Sequence, residues 1–218
     1  MTEQLYWHFL SDDRRLQFGE RQLVTPGATF SISETPIMCE RGFHASKRAS
    51  DALFYAPGAI VCRVTLGGIV IDGTDKSLGQ SRTVIWMADA TNTLHEFACL
   101  CAEDALRSTD VTDERCWTVI ETKRKWLRGE ATDDDVDAAW DAAWDAAWAA
   151  ARAAAMNAAR DAAWESPGSI PMPPSVLVGP KSTRRGHGTL TEIAERDAQN
   201  SRLTEMLEAL QPATEYAG

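Results

Sequence analysis

Over the first ninety residues the apolar positions come in short alternating or continuous runs; beyond them they recur at helical spacing. Residues 4–10 are aromatic-rich and stop at Ser11-Asp12-Asp13, the pattern of a β-strand running into a turn. Leu16 to Phe18 predicts a short return strand closed by Gly19, Pro26-Gly27 a turn, and residues 28–33 a half-exposed strand. Ser46 is placed as the N-cap of a short helix over residues 47–55, where Ala49, Ala52, Leu53 and Tyr55 share helical spacing. Pro57-Gly58 stops that helix. Residues 59–66 form the strongest strand pattern of the chain; Gly67-Gly68 reads as a hairpin turn and residues 69–72 as the strand pairing back. The polar residues 73–83 predict a loop, and Val84 to Ala88 fits either a strand or a helix.

A helix is predicted over residues 92–106, with Leu94, Phe97, Ala98, Cys101 and Ala105 on one side. A second runs from about residue 113 to 128. Its last turn is basic (Lys123, Arg124, Lys125, Arg128), which suits the negative end of the helix dipole, and Gly129 ends it. Thr132 caps a third helix, whose first turn holds three aspartates. It continues as a four-residue repeat of Asp137, Asp141 and Asp145 with Trp140, Trp144 and Trp148, in a register reaching Trp164. Alanine fills the positions between, so the segment from 132 to 165 predicts a helix of about 50 Å. A period of four overshoots the helical turn by about 40° per step, so Trp140, Trp144 and Trp148 stack on one side while Trp164 faces elsewhere. Ser166-Pro167-Gly168 ends it, residues 166–189 read as a Pro/Gly-rich linker or loop, and His187 there is taken as solvated. Ile193, Leu203, Met206, Leu207 and Leu210 mark the apolar face of a closing amphipathic helix.

The fold class that follows is α+β: a small mixed or antiparallel β domain over residues 1–110, then a helical module with one long Ala-rich helix. That module is divided into a helical hairpin at 111–165, the linker at 166–189 and the C-terminal helix at 190–211.

Charge narrows the partners. The net charge of −10 is concentrated in residues 130–166, which contribute −7, while residues 1–129 contribute only −2. A chain without a broad basic face argues against duplex nucleic acid as the main partner. No stretch approaches the ~18 apolar residues of a membrane span, and the first residues lack the apolar run of a signal peptide. The five cysteines have neither zinc-site nor redox-pair spacing and read as reduced, mostly buried thiols, so a cytoplasmic protein is expected.

The densest run of chemically capable side chains is Cys39-Glu40-Arg41-Gly42-Phe43-His44-Ala45-Ser46. His8, on the strand before it, points to the face opposite Trp7 and Phe9. If the two segments are neighbours, His8, His44 and Ser46 converge. A metal site needs a third ligand; His95-Glu96 offers one, but no spacing demands it, and no metal is expected. Nucleophilic catalysis by Ser46 lacks an elbow motif and an oriented third group. Cys39 beside Arg41 is a weaker candidate than a buried thiol.

Two resemblances carry the sequence further. Trp7-His8-Phe9, the Cys39 to Ser46 run, Tyr55-Ala56-Pro57-Gly58, Trp86-Met87-Ala88-Asp89, Gly129 to Thr132 and Gln199-Asn200-Ser201-Arg202-Leu203 resemble an uncharacterised family of bacteriophage and actinobacterial proteins, a domain of unknown function. The match covers most of the chain outside 166–189 and implies a phage or prophage origin, with the host cytoplasm as location. Residues 4–100 remotely resemble the ADP-ribosyltransferase core in the order Tyr-Trp-His, Gly-Phe-His-Ala-Ser, Tyr-Ala and a Val-rich strand. That resemblance implies NAD as cofactor. It puts His8, His44 and Glu96 in catalytic roles, Glu96 as the acid, and Tyr6, Gly42, Phe43, Ser46 and Tyr55 in cofactor binding. His44 stands where that family commonly has an aromatic, and no Ser-Thr-Ser element is present.

Two functions stay open: an ADP-ribosyltransferase-like domain binding NAD or an ADP-ribose-related nucleotide, and a non-enzymatic phage accessory protein. In the second, a protein partner or a second copy engages the Trp-bearing helix over residues 132–165.

Overall fold

The computed structural model of the chain describes residues 4–17, 21–145 and 190–212. The described strands are β1 (Tyr6–Leu10), β2 (Thr29–Ser31), β3 (Phe43–Ala45), β4 (Ile60–Asp72) and β5 (Ser77–Asp89). The helices are α1 (Ala49–Phe54), α2 (Thr91–Ser108), α3 (Glu114–Leu127), α4, described over residues 133–145, and α5 (Leu190–Glu208). The fold is α+β, and all of its strand pairs are antiparallel. The described parts of Met1–Phe97 and Thr189–Gly218 form one compact unit and those of Ala98–Gly188 a second. The first unit thus takes in the C-terminal helix and ends within α2, where the sequence placed a boundary at 110.

The sheet runs β1-β4-β5-β2, with β3 on the same β5 strand. β4 and β5 are each 13 residues long and pair along nearly their whole length. Two corrections to the sequence reading lie here. Gly67-Gly68 does not turn the chain; β4 passes straight through it, with a register shift against β5 between Gly67 and Val70. Gly68 sits at φ +67, the conformation a bulge asks of glycine, so the pair bends the strand instead of ending it. The hairpin turn lies further on, closed by the Gly73 N–H donating to the Lys76 carbonyl at 2.9 Å. The predicted 73–83 loop is therefore mostly strand. The buried positions of its first half are Ser77, Leu78, Gly79 and Arg82, and with Leu78 the only large apolar residue among them no apolar alternation shows. The open choice for Val84 to Ala88 resolves as strand.

The ladder returns on itself. β3 pairs with β5 at Gly79, Leu78 and Ser77. Just beyond it, Ser46 and Trp7 exchange backbone hydrogen bonds of 2.7 and 2.9 Å. That exchange sets the Cys39–Ser46 segment beside β1. Ser46 is consequently a buried ladder residue, not a helix cap. α1 is shorter than predicted and has Arg48 at its N-cap position, whose side chain caps nothing. The cap comes from α5: Asn200 Oδ1 accepts from the Ser50 N–H at 3.2 Å and from its hydroxyl at 3.1 Å. The expected return strand after Leu16 is a single bridge, Arg15 to Leu23, among the described residues; Phe18 lies outside them.

Strand alternation sorts the core into two clusters. Trp7 and Phe9 join Val61, Trp86, Ala49, Ala52, Ala90 and the α5 residues Leu203 and Leu207. Tyr6 and Leu10 join Val24, Ala45, Ile60, Cys62, Val64 and Val84 on the other face. In the second unit, Arg124 of α3 pairs with Glu103 of α2, and this bond holds the Glu103 carboxyl below its ordinary value. Asp113 caps α3, accepting from the Arg115 N–H at 3.0 Å. Gly129 ends α3 at φ +74, as expected. Thr132 caps α4 reciprocally with Asp135: the Asp135 N–H donates to the Thr132 hydroxyl, and the carboxylate accepts from the Thr132 N–H at 2.8 Å. The tetrad repeat beyond residue 145, the 166–189 segment and Ile193's side chain lie outside the described residues. Among the described residues no helix is long and apolar enough to cross a membrane.

Candidate ligand-binding site

Because β3 is drawn to β1 through the Trp7–Ser46 bridge, the side chains of both segments meet around one cavity of about 390 Å³. That is within the usual range for small-molecule sites. His8, Gly42, Phe43, His44, Ser46 and Tyr55 all line it, together with Arg15, Lys76 and Arg82. Two residues expected at the site are elsewhere. Tyr6 packs into the apolar cluster with Leu10 and Val64 and is not part of the lining. Glu96 lies on α2, also outside the lining.

His8 projects from the β1 face shared with Tyr6 and Leu10 and stands opposite Cys62 of β4. Burial, then the charge of Arg82, then His44, push its pKa well below 6.5, so the imidazole is neutral at pH 7. It makes no side-chain hydrogen bond to a described residue. His44 is half-buried, and its Nε2 accepts from the Cys39 N–H at 3.3 Å. That bond leaves the proton on Nδ1. Burial, Lys76 and Arg82 lower its pKa as well. The Cys62 thiol is pushed up to about 12 by burial and is no nucleophile at neutral pH. Cys39, expected to be buried, is exposed.

Gly42 is required where it stands. Its φ is +125, and a Cβ there would lie 2.7 Å from a Leu78 methyl and 3.1 Å from the Gly79 carbonyl. Tyr55 ends α1; its hydroxyl donates to Asp75 at 2.6 Å, and the Lys76 ammonium sits 4.6 Å from its ring centre. Arg82, on β5, is the most buried of three basic lining residues that sequence reasoning missed, Arg15 and Lys76 being the others. It is 4% exposed, donates from Nη1 to the His44 carbonyl at 3.0 Å, and lies 5.5 Å from the Phe43 ring centre. A charge within an apparently polar loop gave no signal; recognising residues 77–83 as a strand would have.

Among the described residues the lining includes no Asp or Glu. The arrangement offers two neutral imidazoles, a serine, an aromatic wall and basic groups. It suits binding of an anionic ligand and offers proton transfer through the imidazoles. Among the described residues no group of three or more His, Cys, Asp or Glu side chains is gathered for a metal ion. Compared with protein-family models, with curated proteins and with solved structures, the chain matches none.

Proposed function

We propose that the unit formed by Met1–Phe97 and Thr189–Gly218 binds NAD or an ADP-ribose-related nucleotide in this cavity. The observation that carries the reading is the convergence of His8, His44, Ser46 and Tyr55 on one lining. These are residues that the resemblance to the ADP-ribosyltransferase core assigns to the NAD site. The reading is one of binding. Transfer of ADP-ribose needs a carboxylate near the ribose to stabilise the developing positive charge, and Glu96 is outside the lining. The resemblance to phage proteins, together with free thiols at all five cysteines, supports action in a bacterial host's cytoplasm. Calorimetric titration with NAD and ADP-ribose tests the reading, with wild type beside His8→Ala. Binding that the substitution weakens is expected; no binding of either compound to wild type overturns it.

One observation favours the non-enzymatic reading in parallel. Trp140 and Trp144 of α4 are 57% and 69% exposed, a large apolar area one helical turn apart. A partner or a second copy covering them would change sedimentation when both are replaced by alanine. Identical sedimentation of that variant and wild type counts against self-association.

A further inference from the structure

We infer that the cavity takes a phosphoryl-bearing anion, a diphosphate being the simplest, and that Arg82 is the group that holds it. The inference deepens the nucleotide reading of the same cavity and rests on it. Its starting point is a contrast among the arginines. Arg48 pairs with Asp197, Arg63 approaches Glu208 at 3.9 Å, and Arg124 pairs with Glu103. Arg82 is more buried than any of them, and no carboxylate pairs with it among the described residues. Its Nε has no acceptor among the described residues, as is also true of Arg48 Nε and Arg63 Nη1, so the contrast lies in the missing carboxylate. Buried arginines are ordinarily paired, because an uncompensated charge in a protein interior is costly.

The neighbours do not supply the missing charge. His8 and His44 are shifted down and the Cys62 thiol up, so each is neutral at pH 7. Burial lowers Arg82 only to about 10, which leaves it charged. Among the described residues the other charged groups of the lining, Arg15 and Lys76, are basic too, in a chain whose net charge is −10. Positive charge is therefore collected in this cavity against the trend of the molecule. The bond from Nη1 to the His44 carbonyl restrains the guanidinium, a planar group whose remaining N–H donors suit a bidentate oxyanion contact. Three basic groups exceed what a single carboxylate neutralises, which favours a diphosphate over a carboxylic acid.

Equilibrium dialysis of the full chain against labelled inorganic pyrophosphate tests this, with succinate as competitor and Arg82→Met and Arg82→Lys as variants. Wild type is expected to bind pyrophosphate, to lose little of it to succinate, and to bind at least tenfold more tightly than either variant. Arg82→Lys keeps the charge without the fork, so it reports on recognition even if Arg82→Met folds poorly. Three results overturn the inference: no pyrophosphate bound by wild type, equal binding by the variants, or succinate competing as well as pyrophosphate itself. The two readings fail separately. Arg82-dependent pyrophosphate binding without NAD or ADP-ribose binding removes the nucleotide and keeps the anion site. NAD binding indifferent to Arg82 does the reverse.

Discussion

Neighbouring side chains of β1 meet opposite environments. Trp7 and Phe9 enter a face closed by α1 and α5, where they are at most 2% exposed. Trp7 meets Trp86 edge-on at 5.9 Å and has the Arg63 guanidinium 4.1 Å from a ring centre. His8, between them, faces a cavity with Arg82 beyond it. The first face is filled with apolar side chains; the second has an apolar cluster of its own around Tyr6 and Leu10 and, beside His8, keeps space lined by polar groups. Both faces thus carry apolar packing, while ligand chemistry falls to the His8 side alone, and each assignment can be tested.

The largest effect is expected on the filled face. Leu203→Ala or Leu207→Ala should each cost about 2–5 kcal/mol, read as a lower urea midpoint, because both side chains are fully buried against Trp7 and Phe9. A loss below about 1 kcal/mol would show that α5 contributes little to closing that face. On the cavity face, Gly42→Ala should cost about 1–3 kcal/mol, since it forces a Cβ into Leu78 at a positive φ. Unchanged stability would mean that the β3 segment is free to shift.

The third prediction concerns pH. The folded-state pKa of His8 is depressed below 6.5, so the unfolded chain takes up the proton first as pH falls. Its contribution is complete above about 6.5 and is lost progressively below it. The loss approaches ~1.4 kcal/mol per pH unit. The urea midpoint should fall between pH 7 and 5.5, and His8→Asn should flatten most of that slope. A wild-type midpoint independent of pH over that window would place His8 in contact with water. A smaller effect is expected where α5 caps α1: Asn200→Ala should cost about 1 kcal/mol, and a capping contribution near zero would mean that water serves Ser50 as well. Smallest of all, Lys47→Met, which removes an exposed ion pair with Asp72, should leave the midpoint within error.

The sequence was most legible where one physical signal dominated. Aromatic alternation marked β1, the 3.6-residue period marked α2, α3 and α5, and Thr132 with its aspartates marked the start of α4. It misled where a residue served a tertiary purpose. Gly67-Gly68 has the composition of a turn but forms a bulge within β4. Ser46 has the character of a cap but completes a ladder between β3 and β1. Arg82 occupies a buried strand position that local patterning assigns to an apolar residue. The part of the site carried by the Gly42–Ser46 run and by His8 could be named in advance, because those residue types cluster along the chain. Arg82, the buried charge of the lining, arrives from β5 and is visible only once the strands are paired.

The docking of α5 has a consequence for how the protein is made. Leu203, which covers Trp7 and Phe9, leaves the ribosome about 195 residues after them. At ordinary translation speeds that interval is roughly 10–40 s. Throughout it, the aromatic face of the nascent sheet lacks its final helix, while the whole Ala98–Gly188 segment emerges in between. Premature termination between Trp86 and residue 203 would release a chain whose Trp7 and Trp86 lack the cover of α5. The timing of synthesis is thus built into the order in which this fold's two halves are encoded.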